Sequence, residues 1–471
     1  MTGKELFYNR AKTIFGNQTD ELMEKLLDEP LTKAFYLNEL KGPADQTLNL
    51  IDFDYHVSNY NEHSYFYDYD NIGKTKANEL GLIYPQEMSA SIPAQVLNPA
   101  PNSLIVDMCS APGGKTINLA ILSGDSGLII ANEYEYKRAM ILVSNLERMG
   151  ISNVIVTNKD CSELAEDLYG LADYVLLDAP CSGEGMIRKT PTILEEYNLA
   201  NINLCATRQQ NLIENAYDIL KPGGRLVYST CTYAVEENEA IVKEFLAKHP
   251  DMELLNVNDA YPIRGVEIEA FESDKVARFN PLIGTEGQFV ALMHKKGDGD
   301  SFKCKYRKPI KQKLIDEFIK NELDLKDYYL YEQNERYYLS LKPLIDMNKH
   351  VLRYGIYVGE IKKNIFYPSH HLYRANSLKK HFKHVIDLDE KEYYDYLKGL
   401  SIFKDVPNGH YLLTHLGYSF AYGKVSAKQI KNKYPKGLRW WLNENNSNIK
   451  FMFISFIWLW PRRKIGWQSY L

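Results

Sequence analysis

The chain has 471 residues, 45% of them hydrophobic and 25% charged, which suits ordinary globular domains and is longer than one core usually organises. Those proportions exclude collagen-like, disordered and disulfide-scaffold classes, and the six cysteines form no CxxC pair of the zinc-ribbon or thioredoxin kind. The net charge of −5 hides an asymmetry: residues 298–440 hold 27 Lys and Arg against 17 Asp and Glu, whereas 1–297 hold 25 against 43.

The N-terminus, MTGKELFYNRAKTIF, lacks the apolar core of a secretory signal, so a cytoplasmic protein with reduced thiols is expected. Residues 1–90 form a candidate α+β domain. It starts with a helical face (Leu22, Met23, Leu26, Leu27) and continues into a tyrosine- and acid-rich stretch. No Lys or Arg occurs from Asp52 to Asp70, so this stretch is a poor grip for phosphates. Residues 91–297 alternate β-rich runs (SLIVDM, GLIIANE, NVIVTNKD, YVLLDAP, GRLVYSTCTY) with helical ones, the pattern of a doubly wound parallel sheet in an α/β fold. KGDGDS (296–301) is a predicted linker. Beyond it, a lysine-rich helical segment (308–323) gives way to YGIYVGEI and GHYLLTHLGYSFAYGKV, which predict a small β-barrel or mixed end domain. The basic charge of 298–440 suggests a polyanionic partner, since Lys and Arg at phosphates gain free energy by counterion release, or else a solvated face.

All five tryptophans lie in the last 32 residues, and FMFISFIWLW (451–460) is ten residues long. A bilayer span needs about 20, so no membrane span is expected. A buried strand, an interfacial anchor or a sequence junction remain open for 441–471.

Ligands of doubly wound sheets bind outside the carboxyl ends of the strands, so the loops there are where chemistry is sought. The first is DMCSAPGGKT (107–116), in which Gly113 and Gly114 permit close backbone approach and a following helix N-terminus favours an anionic group. Its Gly114, Lys115 and Thr116 match the end of a P-loop, but Cys109 stands where the first glycine is required, and GxGxxG is missing. Glu133 closes the second strand at a spacing suited to ribose hydroxyls, Asp160 the third and Asp178 the fourth. DAPCSGEGMIRK (178–189) and STCTYAVEENE (229–239) each set a cysteine on this rim, Cys181 and Cys231. A single cysteine is most often a small buried hydrophobe, whereas two on one rim beside an Asp suggest thiolate chemistry. No metal site is expected.

With these motifs the sequence resembles the RNA 5-methylcytosine methyltransferases of the Nol/Nop/Sun family, and most of all its bacterial 16S ribosomal RNA branch. The likeness runs from YPQEMSASIP (84–93) to GTEGQFVALM (284–293), and GIYVGEIKKN and KNKYPKGLRW resemble a PUA-like RNA-binding end domain. It implies a Rossmann-like class I methyltransferase domain at 91–297, a basic RNA-binding region with a PUA-like end at 298–440, and an atypical tail at 441–471. It implies S-adenosyl-L-methionine as cofactor and RNA as partner. Cys109, Ser110, Ala111, Pro112, Gly113, Gly114 and Lys115 would surround the methionine part of the cofactor, Glu133 would hold the ribose and Asp160 would meet the adenine. Asp178 would sit between cofactor and base, Cys231 would be the nucleophile, and Cys181 would be the second thiol that releases product. Arg188 and Lys189 are candidate phosphate contacts. The competing expectation is a non-catalytic RNA-binding or ribosome-assembly factor that keeps the fold.

Overall fold

The computed structural model describes residues 2–298 and 304–439; the tail 441–471 lies outside them. The chain divides into two compact units after Lys383. The first begins with the helices Gly3–Phe15 and Thr19–Leu27. A capping box starts the first of them: Thr2 N–H donates to Glu5 Oε2 at 2.7 Å and Glu5 N–H to Thr2 Oγ1 at 3.2 Å. Phe7, Ala11, Leu22 and Leu26 bury against Ile187, Leu194 and Tyr233, so the two helices close over loops of the central sheet. An antiparallel sheet follows, made of β1 (Ala34–Leu37), β2 (Tyr55–Val57), β3 (Ser64–Tyr67) and β4 (Ile83–Pro85) in the order β2-β3-β1-β4.

The central sheet is built from β5 (Leu104–Asp107), β6 (Leu128–Asn132), β7 (Val154–Thr157), β8 (Ala172–Asp178), β9 (Leu220–Thr230), β10 (Met252–Leu255), β11 (Ala277–Phe279) and β12 (Gln288–Lys295). Its order is β10-β12-β9-β8-β5-β6-β7; the five strands from β9 to β7 are parallel, and β12 is antiparallel to β9. The strands read as continuous apolar runs because helices cover both faces. Ile105, Ile129, Val156, Leu176 and Val227 enter one core, while Val106, Ile130, Ile155, Leu177 and Leu226 enter the other. This is the two-residue alternation of a strand. Each such side chain contributes about 1.5–3 kcal/mol relative to exposure. Helix Tyr136–Met149 presents Ala139, Leu142, Leu146 and Met149, and helix Cys161–Leu168 presents Cys161, Leu164, Ala165 and Leu168, both at helical spacing. The order reverses between β5 and β8, which opens a crevice at their carboxyl ends.

A buried ion pair joins β11 to the segment that follows β9. Arg278 on β11 donates to Glu239 through Nε at 2.7 Å and Nη2 at 2.5 Å, and through Nη1 to Tyr233 O at 2.9 Å. Both side chains are almost wholly buried. Removing one partner strands the other charge, so Glu239→Gln is expected to lose about 3 kcal/mol of stability. Urea unfolding at neutral pH measures it; an unchanged midpoint would show that the pair is not needed.

After the predicted linker, helix Lys313–Glu322 precedes β13 (Tyr329–Gln333), β14 (Arg336–Ser340), β15 (Val351–Tyr354), β16 (Ile356–Lys362) and β17 (Ile365–Pro368). Four of these form a sheet in the order β13-β14-β16-β17, but β15 leaves it to pair antiparallel with β7, Val351 opposite Thr157. Residues 304–383 therefore belong with the central sheet, although their charge groups them with the basic end. The second unit contains β18 (Val385–Leu388), β19 (Ile402–Phe403), β20 (Gly409–His415), β21 (Tyr418–Ser426) and β22 (Gln429–Asn432), in the order β18-β20-β21-β22-β19. Its helix Glu390–Leu397 starts on a second capping box, Asp389 with Glu392, and packs Tyr393 and Tyr396 edge-on against Phe420. This is the small mixed end domain expected from the sequence. Among the described residues no helix is long and apolar enough to cross a membrane.

Candidate active site

The loop after β5 is held from outside. Ser110 N–H donates to Asn132 O at 2.8 Å, Arg138 Nη2 to Ala111 O at 2.8 Å, and Asn145 Nδ2 to Pro112 O at 2.9 Å. Gly113 takes φ 114°, in the left-handed region, and a Cβ there would come to 3.0 Å from Leu142 Cδ1. Helix Gly114–Leu122 then starts with no side-chain cap, leaving first-turn N–H groups for a ligand. Asp107, wholly buried, accepts from Thr116 Oγ1 at 2.6 Å through Oδ2, while its Oδ1 has no hydrogen-bond partner among the described residues. Burial pushes its carboxyl up to about 7, against the Thr116 hydrogen bond.

Glu133 follows β6, almost wholly buried; its Oε1 accepts from Glu135 N–H at 2.9 Å, and Oε2 lies 3.5 Å from Arg138 Nη1. Asp160, exposed, caps helix Cys161–Leu168 by accepting from Ser162 N–H at 2.9 Å and Ser162 Oγ at 2.6 Å. Cys109 is half-buried, and its thiol is pushed up by its hydrogen bond with Cys161 and by burial, which keeps it protonated.

Across the crevice, Lys115 Nζ lies 2.8 Å from Asp178 Oδ2, so an ion pair links the β5 loop to the end of β8. Burial opposes the Lys115 charge, but Asp178 outweighs it and the ammonium is favoured. Asp178 Oδ1 accepts from Ser229 Oγ at 2.8 Å and Gln288 Nε2 at 3.3 Å. The two rim cysteines meet: Cys181 Sγ and Cys231 Sγ are 3.3 Å apart. This hydrogen bond lowers the pKa of Cys231, with Lys115 acting in the same direction; the same bond, together with burial, raises that of Cys181. Of the two thiols Cys231 is therefore the readier to ionise, with Cys181 able to donate to it.

The loops carrying these sulfurs are fixed beneath. Gly185 N–H donates to Cys231 O at 2.9 Å, and Gly185 and Gly287 cross so closely that a Cβ on Gly287 would fall 2.5 Å from Gly185 Cα. Ser182 N–H and Gln209 Nε2 both donate to Glu237 Oε2 at 2.9 Å, and burial pushes Glu237 up to about 7. Arg188 does not offer the open cation expected for phosphates. Its side chain is buried, donating to Glu286 Oε2 at 3.1 Å and approaching Oε1 to 2.6 Å. It also reaches Pro30 O and Thr285 O, both at 3.2 Å, and so fastens the N-terminal part to the catalytic rim. Lys189 is exposed.

Residues 94–294 match the 16S rRNA methyltransferase RsmB/F family, and residues 383–440 match the methyltransferase RsmF PUA domain. A ribosomal RNA small subunit methyltransferase F from Shewanella loihica is 31% identical over 397 residues, 78% of this chain and 79% of that protein. The chain belongs to the ribosomal RNA small subunit methyltransferase F family. A member from Vibrio vulnificus is 29% identical across 92% of this chain and 97% of its own length. Among solved structures, a methyltransferase homologue from Pyrococcus horikoshii (32% identity, TM-score 0.55) covers 62% of this chain, 94% of its own. NSun6 from Pyrococcus horikoshii with SFG (25% identity, TM-score 0.54) covers the same share, 98% of its own. The central sheet is accordingly the family's Rossmann-like class I methyltransferase fold, and the second unit its PUA domain.

Sequence reading of this family member missed Gln288, Glu237 and Gln209. Gln288 stands inside GTEGQFVALM, a stretch that carries the resemblance, which was its only signal. Nothing in their spacing announced that Glu237 and Gln209 would support the Cys181 loop.

Proposed function

We propose that this methyltransferase moves a methyl group from S-adenosyl-L-methionine to C5 of a cytosine in 16S ribosomal RNA, in the cytoplasm, through a covalent bond between Cys231 and C6 of the base. The single observation that carries this reading is the Cys181–Cys231 pair, 3.3 Å apart beside the Lys115–Asp178 ion pair. The residues fit the cofactor: the uncapped amides of helix Gly114–Leu122 suit a carboxylate, the unpartnered Asp107 Oδ1 suits a cation, and Glu133 suits ribose hydroxyls. Cys109, Ser110, Ala111, Pro112, Gly113, Gly114 and Lys115 would enclose its methionine end, with Asp160 at the adenine. When bound, the cofactor supplies an electrophilic methyl on a sulfonium.

Cytosine C5 is too weak a nucleophile to take that methyl unaided. The Cys231 thiolate adds to C6 and turns C5 into an enamine carbon. A proton held between the Asp178 carboxyl and N3 neutralises the charge that develops on the ring, and Lys115 keeps that carboxyl group oriented. After transfer the C5 proton must leave before Cys231 is expelled, and Cys181 or a water it orients takes it. The base must be unpaired or flipped out of any helix. A non-catalytic assembly factor would have no use for two thiols 3.3 Å apart beside the Lys115–Asp178 ion pair.

The test is incubation of the full chain with labelled cofactor and 16S ribosomal RNA, followed by digestion to nucleosides. Label in 5-methylcytidine is the expected result. Label only in another nucleoside, or none with RNA bound, would overturn the reaction.

A further inference from the structure

A cavity of about 690 Å³ opens between the β2-β3 hairpin, the segment leading into β1 and the loop at Ile283 and Gly284. It is separate from the cysteine pair, and no step above uses it. Among its lining residues His56, Tyr60 and Phe66 offer rings, while the rings of Tyr55 and Tyr67, on the other face of the hairpin, pack against Phe35. His56 and Phe66 face each other across the hairpin, their rings 5.4 Å apart, and His56 is exposed.

The geometry points to a subsite for one unpaired base of the substrate RNA, a neighbour of the methylated cytosine. This rests on the RNA reading above. Three observations carry it. First, the cavity wall is tied to the active site through the chain and through Arg188. Its wall residue Gly284 is followed four positions later by Gln288, whose Nε2 is 3.3 Å from Asp178 Oδ1. Four extended residues span at most roughly 14 Å, a reach of a few nucleotides. Arg188 closes the other side, with Nη1 3.2 Å from Pro30 O and its Glu286 pair beside the Gly185–Gly287 crossing under Cys231. Both walls of the cavity are thus tied to the loops that hold the catalytic sulfurs.

Second, the lining suits a base and not a backbone. Flat aromatic and imidazole rings stack on nucleobases whatever their sequence, and single-stranded RNA is read in this way. The cavity volume also exceeds that of a single ring system. Third, the charge excludes the alternative. The lining includes the carboxylates Asp54 and Asp68, and its one lysine, Lys33, is engaged 2.7 Å from Asp70. A phosphate would be repelled, whereas carboxylates accept from exocyclic amino groups.

The experiment is a binding cycle with the full chain and 16S ribosomal RNA fragments in which abasic sites are placed singly at each nucleotide around the methylated cytosine. At one position the abasic RNA is expected to bind wild type about tenfold more weakly, within the range for loss of a stacked base. His56→Ala, at an exposed position, is expected to lose about as much on intact RNA and nothing further on the abasic RNA. Phe66→Leu, which keeps an apolar side chain, should show the same insensitivity. Losses that multiply, or variants that bind intact RNA like wild type, would overturn the subsite. Because binding is read without turnover, a flat cycle beside normal formation of 5-methylcytidine condemns the subsite alone. A coupled cycle without methyl transfer condemns the reaction alone.

Discussion

Cys231→Ala is expected to lower methyl transfer at least roughly a thousandfold while leaving cofactor affinity and folding unchanged. The magnitude follows from the substrate. C5 becomes nucleophilic only when something adds at C6, and Cys231 is the thiol whose pKa the site depresses. Lys115 and Asp178 still orient the base in the variant, yet they cannot replace a bond to carbon. Its side chain is half-buried and small, so alanine fills nearly the same space. Initial rates with labelled cofactor and saturating RNA measure the effect, with thermal unfolding as the control for folding. Activity within tenfold of wild type would remove Cys231 as nucleophile and with it the covalent route.

The parallel strands were legible because a sheet covered on both faces leaves continuous apolar runs, and LIVD, LIIAN and VIVT need no partner information to be recognised. The rim cysteines were legible for a related reason, since residues after such runs fall on one edge. Which rim residues touch was not. Lys115 reads as the last member of a cofactor loop, and only the parallel pairing of β5 with β8 brings its ammonium to Asp178. Arg188 reads as a free cation on a loop, but its counter-ion, Glu286, is 98 residues away in sequence and reaches it through β12's approach. Local spacing carries no signal of such a pair. Asp160 stands where the resemblance puts an adenine contact, and its carboxylate also caps its own helix, a role that Asp before a helical run always permits. The division of the chain was the least visible. Charge rises after residue 298, yet β15 returns to the edge of β7, so composition changes well before packing does.

Cys181→Ala is expected to accumulate a covalent protein–RNA adduct that wild type does not retain. In the free enzyme Cys181 can donate to Cys231, and negative charge on that neighbour, together with burial, opposes its own ionisation. Once Cys231 bonds to C6 that negative charge is gone, so Cys181 ionises more readily in the adduct, when a base is needed at C5. Without it the methylated adduct forms and stays. The same substitution removes the hydrogen bond that lowers the Cys231 pKa, while burial and Asp178, which raise it, remain, so that pKa rises. Adduct formation in the first turnover should therefore move to higher pH in Cys181→Ala. Cys181→Ser restores a donor but not an ionisable thiol, so its pH profile should return toward wild type while the adduct persists. Denaturing gels of labelled RNA across pH separate the two functions. No slower band in either variant would mean that Cys181 does not take part in release, and an unshifted profile in the alanine variant would mean that it does not set the state of Cys231.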